Sequence, residues 1–593
     1  MAFGDLLEQV GGTGRFQIVH VTLLSIPVLM MASHNLLQNF VAAVPPHFCS
    51  AHANLSRSRL SPEETLLLTV PLDIKGNPER CQRYAAPRWY LSNGTSGPGD
   101  NGTGAGGGSG ADLQGCTDGW SYNMTEMTST IISEWDLVCD QRSLKQMAQT
   151  IYMGGVLVGA LFFGSMSDRY GRRILLIISN LLMAVAGTCA AFSPSFPLYC
   201  LFRFGCGMAL SGTGLNTFSL IVEWIPTRIR TGVGTITGYC YTVGQLLLAL
   251  IAYYIRDWRW LTLAVSLPYY VFFLIAWWFH ESSRWLALSN KPERAIENLK
   301  SVAKFNGRHE EGEKLTVDML QESMKKEMSS VQGSYTVLDL FRTPTMRKMT
   351  VCLSAVWLST SFAYYGLSMD LQKFGVDIYL IQVIFGAVDI PAKVIVTVSM
   401  SLMGRRPSQM GALILAGVTI LINLLVPYDK QMARTCLAVM GKGCLAASFN
   451  CCYLYSGELY PTIIRVHVDS RANRRSEGQL LLKCGTDKQS TLIQCFHQNG
   501  MGWASMMARV GAMVAPMVLL TADYIPWLPG LIYGGAPILS GVAAMFLPET
   551  LGSPLPDTIQ DVEDRGSGRN SKKPPKETMI QQDTEANLLK RVA

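Results

Sequence analysis

Three ionisable side chains interrupt stretches that are otherwise apolar. Arg509 sits in SMMARVGAMVAP, and Asp389 and Lys393 sit in FGAVDIPAK. A charge at the centre of a bilayer costs roughly 2.5–3.5 kcal/mol even on the gentler insertion scale, so it must face a wet cavity or a partner. A guanidinium at mid-depth offers forked donors that match a carboxylate or sulfonate. The plainer reading of Arg509 is a bond to a structural carbonyl or acid. Asp389 and Lys393 are four residues apart and share one helical face. Either they form a neutralised pair that only holds the fold, or Lys393 shares its charge with an anionic solute or chloride while Asp389 moderates it. Arg203 and Lys442 fall in the outer parts of their apolar runs, where snorkelling to the interface accounts for them.

An aromatic set accompanies these charges: Trp357, Tyr364 and Tyr365, then Tyr239 and Tyr241, then Phe449 and Tyr453. Met30, Met31, His34 and Asn35 could complete the same wall. In apolar helices such rings commonly just pack, and a lone histidine is as readily a packed one. As cavity walls they would clamp flat anions through ring contacts and hydroxyl donors. There is no HExxH, no Walker loop and no metal-spaced Cys/His set. Neither enzyme chemistry nor a metal or other cofactor is therefore expected, with chloride the only candidate ion.

The elements that must position these residues follow from composition. The chain is 49% hydrophobic and only 16% charged, with mean hydropathy +0.21, against about 25% charge in soluble domains. Bilayer hydrocarbon is about 30 Å thick and needs about 20 apolar residues per helix. Twelve candidate spans result: 18–40, 148–167, 174–193, 197–222, 232–255, 259–279, 348–367, 377–400, 409–427, 433–456, 500–521 and 526–547. The net charge of +7 lies mostly in loops, which favours a lipid environment over a nucleic-acid partner. No cleavable signal peptide is expected; residues 1–17 read as a short amphipathic cytosolic helix.

Loop 41–147 sets the topology. It holds every N-x-S/T sequon, at Asn54, Asn93, Asn101 and Asn123, and four cysteines, Cys49, Cys81, Cys116 and Cys139. Glycosylation acceptors face the exterior. An even cysteine count there predicts two disulfides with three possible pairings. Both termini then lie in the cytosol, and Arg169, Arg172 and Arg173, Arg228 and Arg230, and Arg405 and Arg406 follow the positive-inside bias. Arg256 and Arg259, between spans 5 and 6, are exceptions.

The two halves repeat. Gly171-Arg172-Arg173 recurs as Gly404-Arg405-Arg406, Glu223-Trp-Ile-Pro226-Thr227 as Glu458-Leu-Tyr-Pro461-Thr462, and Glu281-Ser as Glu549-Thr. The offset widens between 465 and 500, which marks 466–497 as a polar cytosolic insertion. The predicted organisation is an N-terminal segment 1–17 and a six-helix bundle 18–279 including loop 41–147. A cytosolic helical linker 280–346, a second six-helix bundle 347–549 and a polar tail 550–593 follow. Parallel six-helix repeats place a binding site near the midplane between halves. Asp168, Arg169, Arg172, Arg173, Glu223, Arg230, Glu458 and Arg465 sit at cytosolic helix ends. They read either as a solvated face or as an ion-pair latch that closes the inside and breaks when the cavity opens inward.

GSMSDRYGRR at 164–173 resembles the signature loop of the major facilitator superfamily. MAFGDLLEQVGGTGRFQ, STIISEWDLVC, ESSRWL and LPETLG resemble its organic-ion transporter branch. ASHNLLQNF, SFAYYGL, FGAVDIPAK and GKGCLAASFN are similar to the organic anion transporters, particularly the renal aminohippurate/dicarboxylate exchangers. The resemblance covers residues 1 to about 560 except 466–497. It implies an all-α membrane protein with twelve transmembrane helices in two pseudo-symmetric bundles. It also implies alternating-access uptake of small organic anions against intracellular dicarboxylate such as 2-oxoglutarate. Placement would be in the plasma membrane, basolateral in epithelium. Related cation carriers have an Asp in the region of Arg509, so Arg there argues for anions. The alternatives are an organic cation or zwitterion carrier, for which Asp389 is the clear acidic candidate, and a non-transporting isoform, motivated by 466–497.

Overall fold

A computed structural model describes residues 3–50, 61–72, 76–87, 112–226, 229–329, 339–369, 371–427, 429–460 and 500–552, with 556, 562 and 563. Asn54, Asn93, Asn101, Arg228, Arg465 and the insertion 466–497 lie outside the described residues.

The spans form in the expected order. Span 1 is Arg15–Leu36, span 2 Ser143–Tyr170, span 3 Arg172–Ala191, span 4 Phe196–Trp224 and span 5 Arg230–Tyr254. Span 6 is broken into Trp258–Ser266 and Pro268–Ala276, because Pro268 cannot donate the bond that would continue the helix. Spans 7 to 12 are Pro344–Ser368, Ile378–Leu402, Arg405–Leu425, Gln431–Leu459, Gly500–Leu519 and Leu528–Ala544. Among the described residues, nine of these are long and apolar enough on their own to cross a membrane; span 12 is apolar but shorter.

The repeat is visible in the packing. Span 2 packs on 4, 3 on 4, 1 on 5 and 3 on 6; span 8 packs on 10, 9 on 10, 7 on 11 and 9 on 12. Small residues permit the closest approach: a Cβ on Gly155 would lie 2.2 Å from the Phe204 carbonyl oxygen, and one on Gly207 2.2 Å from that of Tyr152.

At the end of the bundle carrying loop 41–147, short strands His47–Cys49 and Trp120–Tyr122 pair antiparallel, as do Gln82–Tyr84 and Leu113–Gly115. Disulfides join Cys49 to Cys116 and Cys81 to Cys139, which selects one of the three possible pairings. Arg259, an exception to the charge bias, holds this loop to the bundle. It pairs with Glu134 and donates to the carbonyls of Ala191 (2.8 Å) and Ser193 (3.2 Å).

At the opposite end, helices Ser283–Leu288, Pro292–Phe305, His309–Glu313 and Val317–Ser329 form the linker. The expected N-terminal helix is Phe3–Gln9. Asn306 clamps it, donating to the carbonyls of Val10 and Gly11 while its Oδ1 accepts from Phe16 N–H. The tail is not wholly free. Val562 is buried, and Glu563 caps span 7 by accepting from the N–H groups of Thr345 (3.0 Å) and Met346 (3.2 Å).

The halves meet at the loop end. Asn39 donates to the Ser368 carbonyl (2.8 Å), and Val44 and Gln372 exchange two bonds (3.0 and 3.1 Å). Phe40 stacks on Tyr379. Leu36, Leu37, Phe40, Val41, Leu371, Ile378, Ile381 and Phe385 share one core that seals the seam. Toward the linker end, a Cβ on Gly232 or Gly234 at the start of span 5 would meet nothing within 4 Å. The seam between the halves is closed at the loop end.

Candidate functional site

Asp389 and Lys393 do not pair with each other as the sequence spacing allowed. Asp389 binds Lys442 of span 10 at 3.0 and 3.2 Å. Both side chains are buried, at 2% and 1% exposure. Gln245 of span 5 donates to the same carboxylate at 3.0 Å and the Tyr364 hydroxyl at 3.3 Å. The Lys442 ammonium also lies 3.9 Å above the Tyr364 ring. Lys442 therefore does not snorkel, and Asp389 is its counter-ion. The signal was present in the sequence as opposite charges in spans 8 and 10. Depth alone obscured it.

Lys393 reaches across the seam. It donates to the Gly238 carbonyl (2.8 Å) and to Thr242 Oγ1 (2.7 Å) on span 5, beside the Tyr239 ring. No carboxylate lies within ion-pair distance of it among the described residues. Gln245 and Thr242, neither of which the sequence pointed to, thus join the halves at the level of the predicted site.

Arg509 is half-buried on span 11 and donates to Ser505 one turn away at 2.7 Å. Among the described residues it has no carboxylate partner, and its electrostatic neighbours are the phenols of Tyr365 and Tyr453. Tyr453 is 57% exposed yet meets buried Trp357 edge-on at 4.7 Å. The Tyr365 and Tyr241 hydroxyls bond to each other across the seam. Asn35 donates to Tyr241 OH (3.1 Å) and accepts from Tyr152 OH (2.9 Å). Arg509, Tyr365, Tyr453 and Tyr241 are thereby gathered between the halves, and Lys393 bonds to Gly238 and Thr242 on the same span 5 that carries Tyr241.

Other expected wall residues lie behind this layer. Trp357 is buried and donates to Ser456 Oγ (2.8 Å), backing Tyr453 and Phe449. Tyr364 is committed to Asp389 and Lys442, with Phe449 edge-on to it at 5.1 Å. His34 is fully buried, edge-on to Tyr269, inside the first bundle. A packed histidine is the outcome there. Met31 packs toward Gly214 of span 4.

The charged helix ends close within each half. Arg172 pairs with Asp168 (3.0 Å) and Glu223 (3.3 Å), and Arg405 pairs with Glu458 (3.1 Å). Glu281 accepts from the N–H groups of Arg172 and Arg173, and Glu549 from those of Arg405 and Arg406. The glycines beside them match: Gly171 has φ +102° and Gly404 φ +100°, and a Cβ at either would strike the glutamate. Arg173 also binds the Trp277 carbonyl, Arg169 lies over Tyr170, and Arg230 donates to the Ile225 carbonyl. Each of these ion pairs joins residues of one half.

The sugar (and other) transporter family model matches residues 113–472. Solute carrier family 22 member 6 of Pseudopleuronectes americanus is 74% identical over 100% of both chains. The Danio rerio protein of that name is 65% identical over 100% of both chains, and the Rattus norvegicus one 46% over 96% of each. Among solved structures, the partially occluded inward-open form of the E. coli xylose transporter XylE superposes with a TM-score of 0.55. It shares 14% identity and covers 91% of this chain and 100% of its own.

Proposed function

Because this chain belongs to the sugar (and other) transporter family and, within it, to solute carrier family 22, we propose that it takes up organic anions by alternating access in exchange for an intracellular dicarboxylate such as 2-oxoglutarate. The chain is a multi-pass membrane transporter of major facilitator fold and not an enzyme. On this reading it lies in the plasma membrane with the disulfide-bonded loop outside and both termini in the cytosol. Loop 41–147 then carries the glycans.

The observation that carries the reading is the charge balance between the halves. Lys442 and Asp389 cancel. Arg509 and Lys393 meet no carboxylate among the described residues. The chamber is therefore positive, and an Arg fork beside phenol rings suits a carboxylate on a flat aromatic body. A cation carrier would need a free acid, and Asp389 is already bound to Lys442.

Arg509→Asp reverses the charge at the wall. Labelled aminohippurate uptake by cells preloaded with 2-oxoglutarate should fall to background at unchanged surface protein. Uptake retained within about twofold of wild type refutes the role of Arg509, since a lost charge-assisted contact of about 1.5–3 kcal/mol costs more than tenfold.

A further inference from the structure

Two basic residues lie between spans 5 and 6 against the charge bias, and the loop contacts of Arg259 account for only one of them. Arg203, expected to snorkel, is instead buried at 1% exposure; Arg256 is the cation that reaches the interface. It is half-buried, its Nε donates to the Tyr253 carbonyl at 3.3 Å, and its guanidinium lies 5.4 Å from the Tyr253 ring. No ion pair among the described residues includes it. The adjacent acid, Asp257, is occupied in capping span 6. It accepts from the N–H groups of Arg259 (2.9 Å) and Trp260 (3.1 Å) and from the Ser129 hydroxyl (2.6 Å). The Arg256 η nitrogens thus meet no protein acceptor among the described residues.

Arg256 lines a cleft of about 590 Å³ between the end of span 5 and the first half of span 6, with Thr128 of the disulfide-bonded loop beside it. Tyr254 and Trp260 line the same cleft and are 77% and 63% exposed; exposed Tyr and Trp rings mark the headgroup level of a bilayer. Leu263, Ala264 and Leu267 supply an apolar wall. At 1.5 Å per residue, span 6 carries that wall about 14 Å from Trp258 to Leu267, close to half of the hydrocarbon thickness of about 30 Å. A cation at headgroup level beside an apolar groove one leaflet deep has the polarity of a phospholipid, and a guanidinium fork matches phosphate oxygens. We infer that this cleft binds one phospholipid from the leaflet on the loop side, its phosphate on the Arg256 η nitrogens and an acyl chain along Leu263, Ala264 and Leu267. Calling that leaflet the outer one rests on the topology proposed above; the site does not. The lipid borders the closed seam, since Tyr253 meets Tyr379 of span 8 edge-on at 5.6 Å and Tyr379 stacks on Phe40.

The test is native mass spectrometry of the purified full-length protein released from detergent, after titration with phosphatidylcholine or with diacylglycerol of the same acyl chains. Wild type retains a first phosphatidylcholine at a midpoint about tenfold or more below that for diacylglycerol, the margin of a charge-assisted contact. In Arg256→Gln the phosphatidylcholine midpoint rises by about that factor, and the two lipids no longer differ. Ala264→Trp keeps the guanidinium and fills the groove; it raises the midpoint about tenfold, the equivalent of about two methylenes kept out of it. Equal midpoints for the two lipids in wild type, or an unchanged midpoint in Arg256→Gln, reduce the cleft to an apolar groove and overturn the site. Displacement of the lipid by inorganic phosphate, or an unchanged midpoint in Ala264→Trp, also overturns it, since the cation would then serve a free anion or a lipid held elsewhere. Binding is read in detergent without transport, so failure of this site and failure of the exchange reading are distinguishable.

Discussion

Replacing Lys442 by Met tests the assignment of Asp389 as a consumed charge. Removing one partner of a buried ion pair costs about 3–5 kcal/mol, because the other charge is left without compensation. Asp389 keeps Gln245 at 3.0 Å and Tyr364 at 3.3 Å, so the low end applies, about 3 kcal/mol. For a domain of roughly 150–250 residues, each kcal/mol shifts Tm by about 2–4 °C, which gives a fall of about 6–12 °C. Asp389→Asn leaves Lys442 buried on the Tyr364 ring and should cost a similar amount. The double variant Lys442→Met/Asp389→Asn buries no charge and keeps an amide for Gln245 and Tyr364. It should therefore lie closer to wild type than either single variant. Tm in nanodiscs at one scan rate gives all four corners of the cycle. If the two losses simply add, Lys442 and Asp389 are not a pair, and Lys442 returns as a free cation available to substrate.

Two further outcomes follow from the geometry. Asn39→Leu removes the bond to the Ser368 carbonyl across the closed seam and leaves that oxygen unmet, weakening the closed loop end by about 1–3 kcal/mol; a thiol reagent applied from outside should label an introduced seam cysteine about tenfold faster, and unchanged labelling counts against this seam as the outer gate. At Glu549, burial pushes the carboxyl up, but N–H donors from Leu551, Arg405, Arg406 and Thr550 outweigh it and hold it below its ordinary value of 4.5. The folded pKa is depressed, so this stabilisation is present above the unfolded value and lost as pH falls through the folded one. Glu549→Gln should flatten the fall of Tm below about pH 5, and an unaltered profile would show that this carboxylate is not the titrating cap.

The fold was legible because apolar run length and charge bias are local quantities. Twelve segments, the paired GRR turns and the Glu281/Glu549 equivalence all read directly from the string, and the structure gives the last its meaning as two carboxylates capping two helices. The site was legible in part. Arg509 stood out because a lone charge in an apolar run needs no partner to be noticed. Asp389 and Lys393 were joined by spacing on one helix, yet each bonds to a different neighbour, since helix rotation within the bundle decides which face meets which. Lys442 and Arg203 were read from depth as snorkelling, and depth along a helix says nothing about whether its face turns inward. Trp357 and Tyr364 failed as wall residues for the same reason: a ring one turn from the chamber can face away from it.

The positive chamber also bears on why this carrier would exchange rather than simply admit its cargo. To pass from open-in to open-out, the halves must close over Arg509 and Lys393, taking both cations out of contact with water. Burying them empty carries a desolvation penalty of several kcal/mol per ion, whereas a bound dicarboxylate brings two charges of opposite sign and restores local neutrality. Each 1.4 kcal/mol of that difference slows the empty return by about tenfold. Lys393 offsets part of the cost itself, since its bonds to Gly238 and Thr242 lie in the seam and give the ammonium acceptors when no solute is present. The same bonds hold span 8 against span 5, so an arriving anion that draws the ammonium away neutralises the chamber and loosens the contact between the halves in one step. Coupling of the two fluxes then arises from electrostatics alone, with no separate gate that must sense the cargo.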